Sequence, residues 1–372
     1  MKYAICNETF EGWGHARICA RIAELGYTGL EVAPFTLAPR ITDVSAARRT
    51  ELRKQAEAAG VQIIGLHWLL AKTEGFHLTS PDATVRKRTG EYLGEMAIAA
   101  ADMGGDILVL GSPFQRNIPE GYTRAQAEDF ALDTLSHCLP ALEKGRVFLC
   151  LEPLTPAETN FMNTAAEGAA ICRRLANPFV KLHLDVKAMS AEAKPTPDVI
   201  RENKEFFQHF HANDPNKRGP GFGNTDFKPI FQALRDVNYT GWVSVEVFDY
   251  SPDPDTIARE SIRYDARMRM TDSVTPLGRP LTRESHALRS HAGRSLSLCF
   301  SRRGGRTQRR VCGSRCHSQA RQETRLHGGL RARPRSEEGS RPHHGSSRCA
   351  CRRRYETRAR FHRCRRHLPP ER

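Results

Sequence analysis

The sequence lacks any hydrophobic run long enough to cross a membrane. Its longest apolar runs, such as Val147–Leu151, are far shorter than the roughly 20 residues that a transmembrane helix needs. Polar residues also interrupt the N-terminal segment before the apolar core of a signal peptide can form. We therefore expect a cytoplasmic protein without membrane contacts. In that compartment the 11 cysteines are interpreted as reduced thiols rather than as a disulfide framework.

Lysine is absent from residues 265–372, although this segment contains 28 arginines. Its net charge is +20, whereas residues 1–264 carry 29 Lys and Arg against 34 Asp and Glu, a net charge of −5. The formal net charge of +15 therefore describes neither part. With few branched apolar residues and no apolar periodicity, residues 265–372 are predicted to be a disordered basic tail. Arginine without lysine is also what GC-rich DNA encodes in a wrong reading frame, so we interpret the tail as a frameshift product.

Residues 1–264 alternate short apolar runs with amphipathic segments. Runs of four to six residues that are apolar on both faces are typical of buried parallel strands. Eight such runs are present: Tyr3–Cys6, Gly29–Val32, Val61–Leu66, Ile107–Leu110, Val147–Leu151, Val180–Leu184, Phe207–His211 and Trp242–Val247. Helices are predicted between them, with Ser45, Thr123 and Thr164 as N-caps. Eight strand–helix units in about 260 residues predict an α/β fold, a (β/α)₈ TIM barrel. A doubly wound sheet is the alternative, but the first strand is followed by no G-x-G-x-x-G motif.

Four successive strands of this predicted barrel are each followed by a metal-binding side chain. Glu152, Asp185, His211 and Glu246 follow strands five to eight. Because the C-terminal ends of barrel strands form the active-site rim, these side chains should meet there. Three carboxylates and one imidazole suit one Mn²⁺ or Mg²⁺ ion, with Co²⁺ as an alternative. The absence of cysteine from the set argues against structural zinc. His183 and His209 are assigned to the core or to the helix-facing side.

The residues around these positions resemble a known superfamily. Residues 211–227, which begin His-Ala-Asn-Asp-Pro, resemble the strand-seven loop of the sugar phosphate isomerase/epimerase superfamily. These are xylose isomerase-like barrels that include the tagatose and psicose 3-epimerases. Leu151–Leu154 with Asn163-Thr164, Leu184-Asp185 and Val245–Phe248 resemble the motifs of strands five, six and eight. The resemblance covers residues 1 to about 264 and none of the tail.

The resemblance implies a divalent-metal-dependent sugar isomerase or epimerase. Glu152, Asp185, His211 and Glu246 would bind the metal, and Glu152 and Glu246 would also be the acid/base pair. One glutamate would remove a proton next to the substrate carbonyl, giving a cis-enediolate, and the other would return a proton. Glu158 and Arg218 match family positions that contact substrate. We expect a small sugar or sugar acid as substrate, and a homo-oligomer stays open.

The sequence departs from the 3-epimerases at one position. Where they have a histidine three residues after the strand-six aspartate, this chain has Ala188. Lys187 is the candidate replacement, and a solvated lysine is the alternative. His67 and Trp13 are further candidate substrate contacts. The alternatives are a rim histidine for His67 and core packing for Trp13. The departure keeps dehydration or lyase chemistry on an inosose or keto-sugar open.

Two other classes of function are weighed. Abasic-site endonucleases belong to the same superfamily but need about three zinc ions and more histidines, and a barrel of net charge −5 opposes a phosphate backbone. The basic tail would bind polyanions through charge alone. Its Cys and His residues match no zinc-module spacing, so no specific nucleic-acid partner is expected.

Overall fold

The computed structural model describes residues 1–270, without the side chains of residues 269 and 270. Eight parallel strands close into a barrel in chain order, with the last strand paired to the first. The strands are β1 Lys2–Cys6, β2 Gly29–Val32, β3 Gln62–Leu66, β4 Ile107–Leu110, β5 Phe148–Leu151, β6 Val180–Asp185, β7 Phe207–Ala212 and β8 Trp242–Val245. The predicted TIM barrel is confirmed, and all eight predicted strands are present with ends shifted by at most a few residues.

Helices follow the strands and surround the barrel. They are α1 His15–Leu25, α2 Ala46–Ala58, α3 Ala83–Met103, α4 Arg124–Ser136, α5 Leu139–Gly145, α6 Ala165–Leu175, α7 Val186–Met189, α8 Thr196–Glu202, α9 Phe227–Asp236 and α10 Pro254–Met270. The three predicted N-caps are confirmed, because Ser45, Thr123 and Thr164 each accept a backbone N–H of the following turn. Two helices, α4 and α5, follow the Thr123 N-cap, where the sequence predicts one helix between strands four and five. Pro140 lies in the first turn of α5, where a missing N–H costs nothing.

The last helix extends beyond the boundary predicted at residue 264. Helix α10 continues to Met270, and Asp265 is fully buried. The hydroxyl of Tyr3 on β1 donates to the carbonyl oxygen of Asp265 at 3.3 Å. The barrel therefore includes residues that the sequence assigned to the tail, because helical packing persists past the change in composition. The rest of the predicted tail, and with it the frameshift hypothesis, lies outside the described residues.

The apolar core lies mainly between the strands and the helices. Two large clusters of buried aliphatic and aromatic residues line the outer face of the barrel. The barrel interior is different, because fully buried polar side chains occupy it, among them Glu31, His183, His209 and Ser244. Branched aliphatic residues usually fill this space. No helix within residues 1–270 has the length and apolar character needed to cross a membrane.

Candidate metal and catalytic centre

The four residues predicted as metal ligands lie together at one end of the barrel. Glu152, Asp185, His211 and Glu246 have side chains that are almost completely buried. Ligand atoms of Glu152, Asp185 and His211 lie within 4.8 Å of one another, together with those of His183. Nδ1 of His211 is 3.1 Å from Oε2 of Glu246, which connects the fourth residue to the group. Three carboxylates and an imidazole thus face one small space.

Asp185 is held by hydrogen bonds from two directions. It is the last residue of β6 and the N-cap of α7, where its Oδ1 accepts the backbone N–H of Ala188 at 2.7 Å. Its Oδ2 accepts the side-chain amide of Asn213 at 2.5 Å. The Oδ1 of Asn213 in turn accepts the backbone N–H of Lys187 at 2.9 Å. Because both oxygens have partners, the carboxylate orientation is fixed before any ligand binds.

The position of Glu152 depends on a glycine that follows the adjacent strand and on a buried arginine in the loop after it. A Cβ added at Gly111 would lie 1.6 Å from Oε2 of Glu152, so only glycine leaves room for this carboxylate. Arg116 is fully buried and donates to the backbone carbonyl of Glu152 at 2.6 Å and to that of Leu110. This guanidinium joins the ends of β4 and β5. Sequence analysis missed both residues, since neither belongs to a ligand-type motif.

Trp68 holds Glu246 from the opposite side of the barrel. Its indole Nε1 donates to Oε1 of Glu246 at 2.7 Å, while Oε2 faces His211. Trp68 has φ +54°, in the left-handed region that a bulky residue rarely adopts. Backbone strain of this kind clusters at functional sites. We therefore add Trp68 to the candidate site.

The electrostatics of the group favour a divalent cation. Burial, followed by the charges of Glu246 and Asp185, raises the pKa of Glu152 well above its ordinary value. Burial and then Glu246 likewise raise the pKa of Asp185 to about 6. Burial lowers the pKa of His211, but Glu31 and Glu246 outweigh it and hold that pKa well above the ordinary value. A cation stabilises carboxylates that repel one another in a buried site, and carboxylates are hard oxygen donors. The residues therefore fit a divalent metal ion.

His67 lies beside this group. It is fully buried at the end of β3, and its Nε2 is 2.9 Å from Oε2 of Glu8. Ligand atoms of Glu8, His67 and Glu246 lie within 4.8 Å of one another. The structure thus brings His67 next to the predicted metal ligands. It also adds Glu8, which the sequence did not single out.

Two histidines assigned to the core or to the helix-facing side lie inside the barrel. His183 and His209 precede Asp185 and His211 by two residues, and side chains two apart on a strand share a face. The ring centroids of His183 and His211 are 4.1 Å apart. The helix-facing alternative is therefore wrong. Glu31 on β2 reaches the same place, with Oε2 3.0 Å from Nε2 of His209.

Glu158 and Lys187 form a pair close to the site. Nζ of Lys187 donates to Oε1 of Glu158 at 2.6 Å, and Thr155 donates to Oε2 through its hydroxyl and backbone N–H. Burial opposes the charge of Glu158, but Lys187 outweighs it and holds the pKa of Glu158 below its ordinary value. Nζ of Lys187 also lies 4.8 Å from the ring centre of Phe248. The pair therefore holds the ammonium group of Lys187 in place only two residues along the chain from Asp185.

Arg218 and Trp13 have partners outside the group of four. Arg218 donates from Nε to Oδ2 of Asp249 at 2.9 Å, joining the loops that follow β7 and β8. Trp13 packs against Phe10 with ring centres 5.5 Å apart, and Arg17 lies 3.6 Å above its ring centre. Their predicted roles as substrate contacts remain predictions.

A cavity of about 870 Å³ opens beside the group of four. Glu8 and Trp68 line it and also contact the site, since Glu8 lies beside His67 and Trp68 donates to Glu246. Trp13 and Phe35 provide further aromatic walls, as expected for a surface that packs against the C–H faces of a sugar. The volume lies in the upper part of the range for small-molecule pockets.

Known proteins resemble this chain in sequence. A family model described as a xylose isomerase-like TIM barrel matches residues 19–268, and the chain belongs to this family. A D-psicose 3-epimerase from Agrobacterium fabrum is 32% identical over 232 residues, which are 61% of this chain and 77% of that protein. A 3-dehydro-D-guloside 4-epimerase from Escherichia coli is 24% identical over 274 residues, which are 71% and 98%.

A solved structure is also similar to this chain. A crystal structure described as D-psicose 3-epimerase in the presence of D-fructose has a TM-score of 0.65 and 25% identity, covering 72% of this chain and 99% of that one. The resemblance to the sugar isomerase and epimerase superfamily is thereby confirmed, and these named relatives are epimerases of sugars.

Proposed function

We propose that this protein is a divalent-metal-dependent epimerase or isomerase of a sugar or sugar derivative. The observation that carries this proposal is the convergence of Glu152, Asp185, His211 and Glu246 in one buried space. These residues would hold one Mn²⁺ or Mg²⁺ ion, with Co²⁺ as an alternative. Similarity to a D-psicose 3-epimerase and to a 3-dehydro-D-guloside 4-epimerase supports the reaction class.

The chemistry follows from two opposed carboxylates. When bound, the metal ion would polarise the substrate carbonyl and make the adjacent C–H more acidic. Glu152, which follows β5, and Glu246, which follows β8, approach this space from different sides of the barrel. One carboxylate takes the proton from the carbon next to the carbonyl, which leaves a cis-enediolate of the substrate. The other returns a proton to the opposite face of the same carbon for epimerisation, or to the neighbouring carbon for isomerisation.

Other residues would orient the substrate. His67, Lys187, Glu158 and Arg218 supply donors and acceptors, and Trp13 supplies an apolar wall. This chain has Ala188 where a ketose 3-epimerase is expected to have a histidine, and the adjacent Lys187 carries a cationic group that donates to Glu158. Lys187 is therefore the residue that we assign to the substrate oxygen in its place.

A keto-glycoside is the second candidate substrate. The cavity of about 870 Å³ beside the site is large for one sugar ring and provides aromatic walls for a second ring. Substrates with and without a glycosidic substituent therefore both belong in the activity screen. Dehydration or β-elimination from the same enediolate would appear in that screen as loss of water or of a leaving group.

The proposal is tested by solvent exchange. The full chain with Mn²⁺ is incubated in D₂O with ketohexoses, keto-sugar acids, an inosose and 3-keto-glycosides, and the products are analysed by NMR and mass spectrometry. We expect deuterium at the carbon next to the carbonyl of at least one substrate, and loss of exchange after chelation of the metal. Glu152→Gln and Glu246→Gln at saturating Mn²⁺ should each slow exchange about 100-fold or more.

A matched control comes from the surface of the barrel. Glu205 is exposed, so Glu205→Gln makes the same chemical change outside the site and should leave exchange unaltered. About one metal ion per chain is expected, whereas three zinc ions would favour the endonuclease alternative. Wild-type exchange by Glu152→Gln would contradict the mechanism. A cytoplasmic location and a homo-oligomer stay predictions.

A further inference from the structure

A glutamate from the other side of the barrel lies directly beneath the candidate metal centre. Glu31 is on β2, and its side chain crosses the barrel interior to reach β7. It is completely buried. Its Oε2 lies 3.0 Å from Nε2 of His209 and 3.1 Å from Nε2 of His211. None of the roles proposed above uses this carboxylate.

The position of Glu31 is costly without a specific partner. A carboxylate removed from water must be paired and hydrogen-bonded to remain in a folded protein. The pairing of β2 with β3 shifts register between Leu30 and Glu31, and that of β6 with β7 shifts between Leu182 and His183. Such irregularities change the direction of side chains and are frequent next to active sites. The barrel thus departs from regular pairing at the level where Glu31 meets the histidines.

The two nitrogens of His211 face different environments. Nδ1 is directed to the acidic group, 3.1 Å from Oε2 of Glu246, whereas Nε2 is directed to Glu31. A metal-bound imidazole uses one nitrogen as ligand and donates the N–H of the other to an acceptor. Glu31 is that acceptor in this structure. A proton on Nε2 leaves the lone pair of Nδ1 free on the side of Glu152, Asp185 and Glu246.

We propose that Glu31 is a positioning residue of the metal centre, which accepts the Nε2–H of His211 and so presents Nδ1 to the cation. This inference rests on the metal site of the proposed function. His209 supports the same arrangement, because its Nε2 contacts the same oxygen from β7 and holds the carboxylate in place. Neither Glu31 nor His209 touches the substrate in this assignment.

The first experiment measures the affinity of the full chain for Mn²⁺ alone, by calorimetry and by electron paramagnetic resonance. Glu31→Gln keeps the shape of the side chain but removes the charge and one of its acceptor oxygens. Loss of a hydrogen-bonding partner of a metal ligand typically weakens metal binding by about 10- to 100-fold, and we expect a loss in that range. The nitrogen coupling of a Mn²⁺-bound imidazole, visible in pulsed resonance spectra of the wild type, should weaken in parallel.

The matched control is Asp265→Asn, another change of a fully buried carboxylate to an amide. Asp265 lies on α10, outside the barrel interior, so its replacement should leave Mn²⁺ affinity unchanged. This comparison separates positioning from a general effect of changing a buried carboxyl group to an amide. Equal Mn²⁺ affinity of wild type and Glu31→Gln would overturn the inference while leaving the proposed function intact. Absence of Mn²⁺ binding by the wild type would overturn both.

A second measurement is made on the wild-type protein, and a variant is needed only to assign the signals. In wild-type protein with ¹⁵N-labelled histidine and diamagnetic Mg²⁺ or Zn²⁺, the ring signals of His211 report which nitrogen carries the proton. They are assigned by comparison with His211→Asn. The proposal predicts a proton on Nε2 and metal on Nδ1. A metal-bound Nε2 with a protonated Nδ1 would refute it.

Discussion

At the scale of single residues, the most constrained position of the centre is one that carries no side chain. Gly111 directly follows β4, and the carboxylate of Glu152 packs against its Cα. A methyl group there would overlap Oε2 of Glu152 at 1.6 Å, far inside van der Waals contact. Glu152 would have to move out of the group of ligands.

Gly111→Ala should therefore weaken Mn²⁺ binding by about 10-fold or more, since a displacement of about 1 Å disturbs a preorganised site strongly. Calorimetry with Mn²⁺ measures this loss. Gly94→Ala on α3 is the control, because a Cβ there comes no closer than 3.3 Å to the Ala141 methyl. The idea fails when Gly111→Ala binds Mn²⁺ as tightly as Gly94→Ala.

The residue scale also shows how far a site can be predicted from sequence. Glu152, Asp185, His211 and Glu246 could be predicted because the ends of parallel strands share one rim. Glu31 and Trp68 could not, because their partners lie 180 and 178 residues away, and only the closed barrel brings them together. The signal for His183 was present, since strand alternation gives it the face of Asp185.

At the scale of elements, α10 contains a buried carboxyl group without a hydrogen-bonding partner. Asp265 is completely buried, and within the described residues neither of its carboxylate oxygens has a hydrogen-bonding partner. Burial raises the pKa of Asp265 well above its ordinary value of 3.8. The folded state therefore binds this proton more tightly than the unfolded chain does. As pH rises from about 4 towards the folded-state pKa, this residue progressively lowers stability.

Asp265→Asn removes this dependence on pH. The variant should unfold at a higher temperature than the wild type at pH 8, with a difference that shrinks towards pH 4. For a domain of this size about 1 kcal/mol corresponds to 2–4 °C, which scanning calorimetry resolves. Glu205→Gln, at an exposed position, should show no such trend. A difference in unfolding temperature that is constant from pH 4 to pH 8 would exclude the titration of Asp265 as its cause.

Elements were predictable where the local signal agrees with the packing. Strands such as β2 and β4 were predicted with their observed bounds, because short apolar runs bounded by polar turns have few alternatives to a buried strand. The division between α4 and α5 was not predicted, although Pro140 marks it. The end of α10 was misjudged because composition changes near residue 264, whereas burial continues to Asp265.

At the scale of the whole molecule, charge is divided unequally along the chain. The acidic barrel suits a small-molecule enzyme, and the arginine-rich remainder accounts for the entire positive balance. We expect a version ending at residue 270 to keep its Mn²⁺ affinity and its unfolding temperature within about 2 °C. It should lack the salt-sensitive binding to DNA that we expect of the full chain from its charge alone.

A version ending at residue 264 is compared with the version ending at residue 270. That cut removes part of α10, including the contact between Tyr3 and the backbone of Asp265, and should lower the unfolding temperature. Gel shift assays at two salt concentrations and thermal unfolding measure the outcomes. Loss of sugar exchange in the version ending at 270 would show that the basic segment contributes to function.

The crowding of carboxylates at the centre has a consequence for the lifetime of the protein in a cell. A cation that binds the native chain and not the unfolded one raises the free energy of unfolding by about 2.7 kcal/mol at 100 times its dissociation constant. Such a change reduces the fraction of molecules open to proteases roughly a hundredfold. On the proposed metal site, starvation for the ion would therefore lower the abundance of the enzyme as well as its activity. The supply of the metal would then also set how much of the protein escapes degradation.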